Sequence, residues 1–300
     1  MIIDVHSHIG NILYPGGGEL IFRRGIAFPA SPAPLRYSEE SLFRDNAAAR
    51  LISVLFPILS VAGERRRNFA ATLENFQASL EGTDIAYSVC APVAPHNTFE
   101  DMLSARDADP RVIPFTSPDF TGDTVPLLLK DIPRAAGVKI HPILQQVEAD
   151  SKRVMEAVDA VSGYSKPVLL HCGRAYYYTV GERRRRFSGF ASTDRMECLV
   201  AAFPGVKFIV GHAGLGEVRQ VMDSLAKYQN VYVDTSFQPP EIIRSLVSVF
   251  GGDRVLFASD WPYGLRLPAI RAAEEACGGD AGLKKVLFYE NAAALLGITN

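Results

Sequence analysis

Four of the chain's six histidines and one aspartate stand at the ends of apolar, β-branched-rich runs: IIDVHSH, PVLLHCG, VKFIVGH and RVLFASD. The residues are His6, His8, His171, His212 and Asp260. A single histidine after such a run is commonly a hydrogen-bonded core residue. Four of them beside a carboxylate, all at strand ends, point instead to a divalent ion or to proton transfer. The pair around Ser7 has a geometric logic, because residues two apart on a strand share a face. Both imidazoles can therefore grip one ion from one strand while Ser7 points away. Imidazole and carboxylate donors suit zinc first, and also iron, manganese or cobalt.

Something must bring these ends together. Hydrophobic runs predict strands near 2–6, 84–91, 111–115, 136–140, 167–171, 206–211, 230–234 and 254–258, with helical periodicity between them. The clearest helical stretches are ERRRNFAATLENFQASL, SKRVMEAVDAVSGY, GLGEVRQVMDSLAKY and EIIRSLVSVF. About eight βα units in 300 residues fit an α/β fold of the (β/α)8 TIM-barrel type, in which the ends of the strands carry the chemistry. The whole chain, 1–300, reads as one such domain. Two connections exceed ordinary loop length, from Ile9 to Gly63 after strand 1 and GRAYYYTVGERRRRFSGFAS after strand 5. Both follow histidine-bearing strands and would rise over the barrel mouth. The apolar segment LISVLFPILSVAG at 51–63 contains Pro57 and is too short for a membrane span, so it reads as buried or lid-like. PGGGEL at 15–20 is a turn cluster, lacking the strand-to-helix setting of a phosphate loop.

Bulk composition narrows the partners. A formal net charge of -2 gives no general attraction to nucleic acid or to anionic membranes, so a small diffusing substrate is expected. Cys90, Cys172, Cys198 and Cys277 are far apart and form no CxxC pair, which argues against a disulfide framework and favours a reducing, cytoplasmic setting. The first strand starts at Ile2 with no charged and apolar leader ahead of it.

DVHSH at 4–8, GVKIHP at 137–142, PVLLHCG at 167–173, FIVGHAG at 208–214, NVYVDTS at 230–236, FASDWP at 257–262 and ENAAALLG at 290–297 occur in one order along nearly the whole chain. In that order they resemble the amidohydrolase superfamily, in the branch called amidohydrolase-2, which includes aminocarboxymuconate-semialdehyde decarboxylase and several lactone hydrolases. The resemblance implies that His6, His8, His171 and Asp260 bind one divalent metal ion, zinc foremost. It implies that His212 sits beside the water on that ion, where His212 or Asp260 can take the water's proton and return it to the leaving group. It also allows a homodimer.

Departures from the family's other branches carry information. Adenosine-deaminase-like members place a glutamate three residues beyond the strand-5 histidine, where this chain has Arg174, so base deamination is disfavoured. Binuclear members carry a carboxylated lysine at the end of strand 4; Lys139 stands two residues before His141 on the same face, and a single ion is the expectation. His141 is either a donor to substrate at the barrel mouth or a turn residue packed before Pro142. Arg174, beside Tyr176, Tyr177 and Tyr178, is placed to hold a substrate carboxylate or to sit in a solvated loop. Arg183 to Arg186 read as a solvated or oligomer-facing run. Cys172 alternates away from His171 and is read as packing. Asp4 and Asp234 either orient a ligand imidazole or form buried hydrogen bonds of their own. The function expected is metal-dependent hydrolysis of a small ester, lactone or amide carrying a carboxylate. The alternatives are non-hydrolytic decarboxylation of an unsaturated or aromatic acid and, in another class, a barrel retired to binding or regulation.

Overall fold

In the computed structural model, which describes residues 1–29, 57–173, 175, 177 and 188–298, eight parallel strands alternate with helices. The strands are β1 (Ile2–Ser7), β2 (Ile85–Cys90), β3 (Val112–Pro114), β4 (Val138–Ile140), β5 (Val168–Gly173), β6 (Phe208–Leu215), β7 (Val231–Asp234) and β8 (Val255–Leu256). Among the described residues the α-helices run α1 (Pro57–Asn68), α2 (Leu73–Leu80), α3 (Phe99–Ala108), α4 (Thr124–Asp131), α5 (Pro142–Gln145), α6 (Lys152–Val161), α7 (Thr193–Ala202), α8 (Val218–Leu225), α9 (Pro240–Phe250), α10 (Arg266–Cys277), α11 (Ala281–Lys285) and α12 (Asn291–Leu296).

Ladders join β1-β2-β3 and β4-β5-β6-β7-β8. Two seams connect the ladders into a ring. At one, Thr116 bridges Val138, with Thr116 N–H donating to Gly137 O at 2.9 Å and Lys139 N–H to Thr116 O at 2.7 Å. At the other, Ser7 bridges Trp261, Val5 N–H donates to Phe257 O at 3.1 Å and His8 N–H to Trp261 O at 2.7 Å. The result is the (β/α)8 barrel that the strand count implies.

Its interior is a packed layer, not a pore. Ile3, Val5, Val89, Phe115, Leu169, Ile209 and Leu256 meet inside, floored by Ala292 and Leu295 of α12. Each large apolar side chain so buried contributes on the order of 1.5–3 kcal/mol. Gly137 leaves the space that the Phe115 ring fills; a Cβ there would meet the ring at 2.4 Å. A second, larger apolar layer lies between the strands and the outer helices. Among the described residues no helix is long and apolar enough to cross a membrane.

Three of the departures from the periodicity-based boundaries have a clear local reason. The stretch read as one helix, residues 64–80, is two, because Thr72 takes an extended conformation and its side chain caps α2 by accepting from Asn75 N–H at 3.1 Å. Strand 6 runs past residue 211 to Leu215, which pairs with Gly173 after an irregularity in register. Strand 8 stops at Leu256 instead of 258. Two nearby amides leave the ladder for side-chain acceptors: Ala258 N–H donates to Thr235 Oγ1 at 3.1 Å, and Ser259 N–H to Asp4 Oδ1 at 3.0 Å. That early departure lets the chain turn so that Asp260, at φ 55, faces the mouth. PGGGEL forms the expected turn, with a 3-10 helix over Gly17–Leu20. Residues 51–56 of the apolar segment lie outside the described residues, and α1 begins at Pro57.

Candidate active site

Ser7 faces away from the barrel mouth, its Oγ donating to Val89 O at 2.7 Å, and this leaves His6 and His8 on the inner side. A register irregularity between Asp4 and Ser7 helps to turn them there. Gly211, next to His212, gives the His6 ring its room, since a Cβ would meet His6 Cε1 at 3.3 Å and Leu170 O at 2.8 Å. His212 itself takes a left-handed backbone at φ 58, held by its N–H donating to Asp234 Oδ1 at 2.9 Å and its carbonyl accepting from Gln238 Nε2 at 2.6 Å. Such backbone is costly for a non-glycine residue and persists where surrounding bonds fix it.

Hydrogen bonding assigns the protons on the rings. His8 Nδ1 lies 2.6 Å from Ala91 O, which can only accept, so Nδ1 carries the hydrogen. His6 Nδ1 donates to Asp234 Oδ2 at 2.8 Å. Ser236 Oγ donates to Asp234 Oδ1 at 2.5 Å and accepts from His212 Nδ1–H at 2.8 Å. His212 Nε2 is then an acceptor, taking the hydrogen of His171 Nδ1 at 3.0 Å. Every step leaves an Nε2 lone pair on His6, His8 and His171.

Two of these nitrogens, on His6 and His8, meet Asp260. Asp260 Oδ1 lies 3.4 Å from His6 Nε2 and 3.4 Å from His8 Nε2, and the three residues form a group able to hold a metal. Asp260 Oδ1 and His171 Nε2 are buried without a hydrogen-bond partner. Burial of such atoms costs about 1–3 kcal/mol each unless something fills the role. A divalent cation would, and the N,N,N,O donor set suits one. The residues therefore fit the ion that the sequence motifs imply.

Lys139, fully buried on β4, reaches the same centre, with Nζ 2.7 Å from His6 Nε2. Burial pulls its ammonium down to about 8, against the neighbouring Asp260 and Asp234. Burial also raises the Asp260 carboxyl well above the ordinary carboxylate range, with Lys139 pulling the other way. It depresses His8 to about 3 and holds His6, His141, His171 and His212 well below the usual imidazole value.

His141 is a turn residue through one ring nitrogen, and the other reaches a neighbouring tyrosine. Nδ1 caps α5 by accepting from Leu144 N–H at 3.4 Å, while Nε2 donates to Tyr177 Oη at 3.0 Å across the mouth. The ring stacks on His171 with centroids 4.1 Å apart. Tyr177 and Tyr263 stand 6.3 Å apart between centroids, and Phe237 is 5.4 Å from His212, so the walls are aromatic. Of the two framing aspartates, Asp234 orients the His6 ring and Asp4 does not. Asp4 instead pairs with the buried Arg266 of α10 at 2.6 Å and accepts from Ser259 and from the His6 backbone at 3.3 Å. Cys172 is buried against the outer layer and its thiol is pushed up to about 12, chiefly by burial, which suits packing. All four cysteines are free thiols.

Arg174, Tyr176, Tyr178 and Arg183 to Arg186 lie outside the described residues. Four contributors escaped the sequence reading. Ser236 stands two residues from Asp234, a spacing that could have revealed it. Tyr263 directly follows the FASDWP motif, while Arg266 and Arg67 come from regions with no strand-end signal; Arg67 is buried, and its charge reaches Asp260.

The depressed imidazoles have a measurable consequence. Five buried rings bind protons more weakly folded than unfolded, so acidification below about 6.5 favours unfolding, each ring adding up to about 1.4 kcal/mol per pH unit. Asp4 and Asp260 have raised pKa values and act oppositely as pH falls through those values. With five rings against two carboxyls, ion-free protein should melt at a lower temperature at pH 5 than at pH 7. Equal melting temperatures would reject neutral buried imidazoles.

Comparison with known proteins places this geometry. The family model described as Amidohydrolase matches residues 3–298. No curated protein sequence matches. Among solved structures, an uncharacterised TIM-barrel protein of Bordetella bronchiseptica has a TM-score of 0.62 at 15% identity, covering 99% of this chain and 98% of that one. 5-Carboxyvanillate decarboxylase of Novosphingobium aromaticivorans, in complex with manganese and 4-hydroxy-3-methoxy-5-nitrobenzoic acid, gives 0.63 at 18% identity, over 99% and 96%. A probable 2-pyrone-4,6-dicarboxylic acid hydrolase of Acinetobacter baumannii, with citric acid bound, gives 0.59 at 13% identity, over 99% of each chain. With the family matched from the first strand to the last helix, the chain belongs to the amidohydrolase family of enzymes.

Proposed function

We propose that this enzyme is a metal-dependent hydrolase of a small ester, lactone or amide that carries a carboxylate. The observation that supports it most is the meeting of the His6 and His8 Nε2 atoms with Asp260, together with the buried, unpartnered Asp260 Oδ1 and His171 Nε2. These four residues would hold one divalent ion, with zinc as the first choice and manganese, present in the Novosphingobium neighbour, as the next. When bound, such an ion acidifies water and polarises a carbonyl. The protein's own groups do the rest. His212 would take a proton at Nε2 in exchange for the hydrogen it accepts from His171 Nδ1, and Asp234 would stabilise the charge so formed. Asp260 or His212 returns the proton to the leaving group.

His141 Nε2–H is a donor to substrate in exchange for Tyr177, and the rings of Tyr177, Tyr263 and Phe237 favour a flat molecule. Arg174, directly after β5, and the buried Arg67 are the cations proposed to meet its carboxylate. The aromatic walls also favour a second reading, decarboxylation of an unsaturated or aromatic acid, the chemistry that the Novosphingobium neighbour's name states.

One experiment separates the two. Lactones, esters, amides and unsaturated acids are incubated with the enzyme in ¹⁸O-water, with and without chelator. Hydrolysis places label in a new carboxyl group and stops when the ion is withdrawn. Release of carbon dioxide without labelled carboxylate overturns the hydrolase reading in favour of the decarboxylase. Full activity in chelator overturns the requirement for metal.

A further inference from the structure

Lys139 is the one lysine among the described residues that is fully buried, and it stands inside the ring of ion-binding groups. Its Nζ is 2.7 Å from His6 Nε2, the nitrogen left with a lone pair once Nδ1–H has donated to Asp234. Asp260 and Asp234 are the anions whose fields act on it. An imidazole nitrogen has one lone pair, which either accepts a hydrogen bond from an ammonium or bonds a metal. It cannot do both.

We propose that Lys139 is a built-in cation that competes with the divalent ion for His6, neutralising the ring in the ion-free protein and weakening the ion's binding. The inference rests on the metal-centre reading above. Its physical basis is charge balance in a buried ring. Without lysine or ion, two carboxyl groups and three imidazole lone pairs face one another with no cation between them, which is costly. With the ion in place, the ammonium must give up His6 and remain close to a second positive charge. The chain therefore binds metal more weakly than its donor set alone would allow, and keeps its fold when the metal leaves.

The test uses the full chain with Lys139→Met, which keeps the length of the side chain and removes the charge, and Lys139→Gln in parallel. Each protein is stripped with chelator, dialysed, and titrated with Mn²⁺ and with Zn²⁺ in competition with a chelating dye. Thermal melts are recorded with and without the ion. Removing one charge-assisted hydrogen bond that competes for the site should tighten ion binding about ten- to a hundredfold. The ion-free variants should melt below ion-free wild type and recover when the ion is added. Equal or weaker binding by both variants overturns the proposal, because Lys139 would then be neutral towards the ion or a support for it. Failure of both variants to fold even in excess ion also overturns it, since the ion is held to be an equivalent counter-charge. If neither wild type nor variants bind either ion, the metal-centre reading falls and this inference with it.

Discussion

Alanine at position 6 should abolish ion binding and turnover together. His6 is engaged at both ring nitrogens and on its face: Nδ1 is fixed by Asp234, Nε2 faces Lys139 and Asp260, and the ring stacks on His212 with centroids 4.9 Å apart. Loss of an outer partner of a ligand commonly costs 10–100-fold in metal affinity or activity. Removing the ligand itself should exceed that range. The barrel should survive, since its inner layer of Ile3, Val5, Phe115 and Leu169 does not depend on the ring. Elemental analysis, circular dichroism and turnover measured on one preparation check the three parts. A variant that keeps its ion stoichiometry would remove His6 from the ligand set.

His212→Asn should produce a different phenotype, slow but loaded. In the structure His212 Nε2 accepts from His171 Nδ1 and Nδ1 donates to Ser236, so the tautomer of the ring is defined at both nitrogens. General acid–base groups contribute about 10²–10⁴-fold, and kcat should fall by that factor. Ion content should stay close to wild type, because His171 keeps its Nε2 lone pair whatever accepts from Nδ1. Loss of the ion in this variant would place His212 among the ligands, and an unchanged kcat would remove it from proton transfer.

Much of this arrangement was legible in one dimension, because strands buried on both faces must be apolar, and chemistry at their ends interrupts the pattern abruptly. All eight predicted strands exist, and the face-sharing of His6 and His8 follows from a period of two. What escaped depends on the third dimension. Asp234 meets His6 across 228 residues, a contact that only closure of the barrel creates. Arg266 is an ordinary helical residue until α10 lays it against Asp4, between Phe76 and Trp261. The truncation of β8 likewise depended on acceptors from β1 and from the segment after β7, Asp4 and Thr235. The role of Lys139 was hidden differently. Its facing was predictable, but its partner was set by which His6 nitrogen Asp234 occupied.

That single carboxylate has a consequence for how such an enzyme can diversify. Asp234 binds the His6 ring, the His212 backbone and the Ser236 hydroxyl, so groups on β1, β6 and the end of β7 share one set of proton positions. A change at any of them disturbs the hydrogen bonds of the others. Tyr263 and Phe237 contribute walls to the mouth without touching Asp234 in any bond described above. Substrate preference can therefore drift through those rings while the wiring of protons is inherited intact.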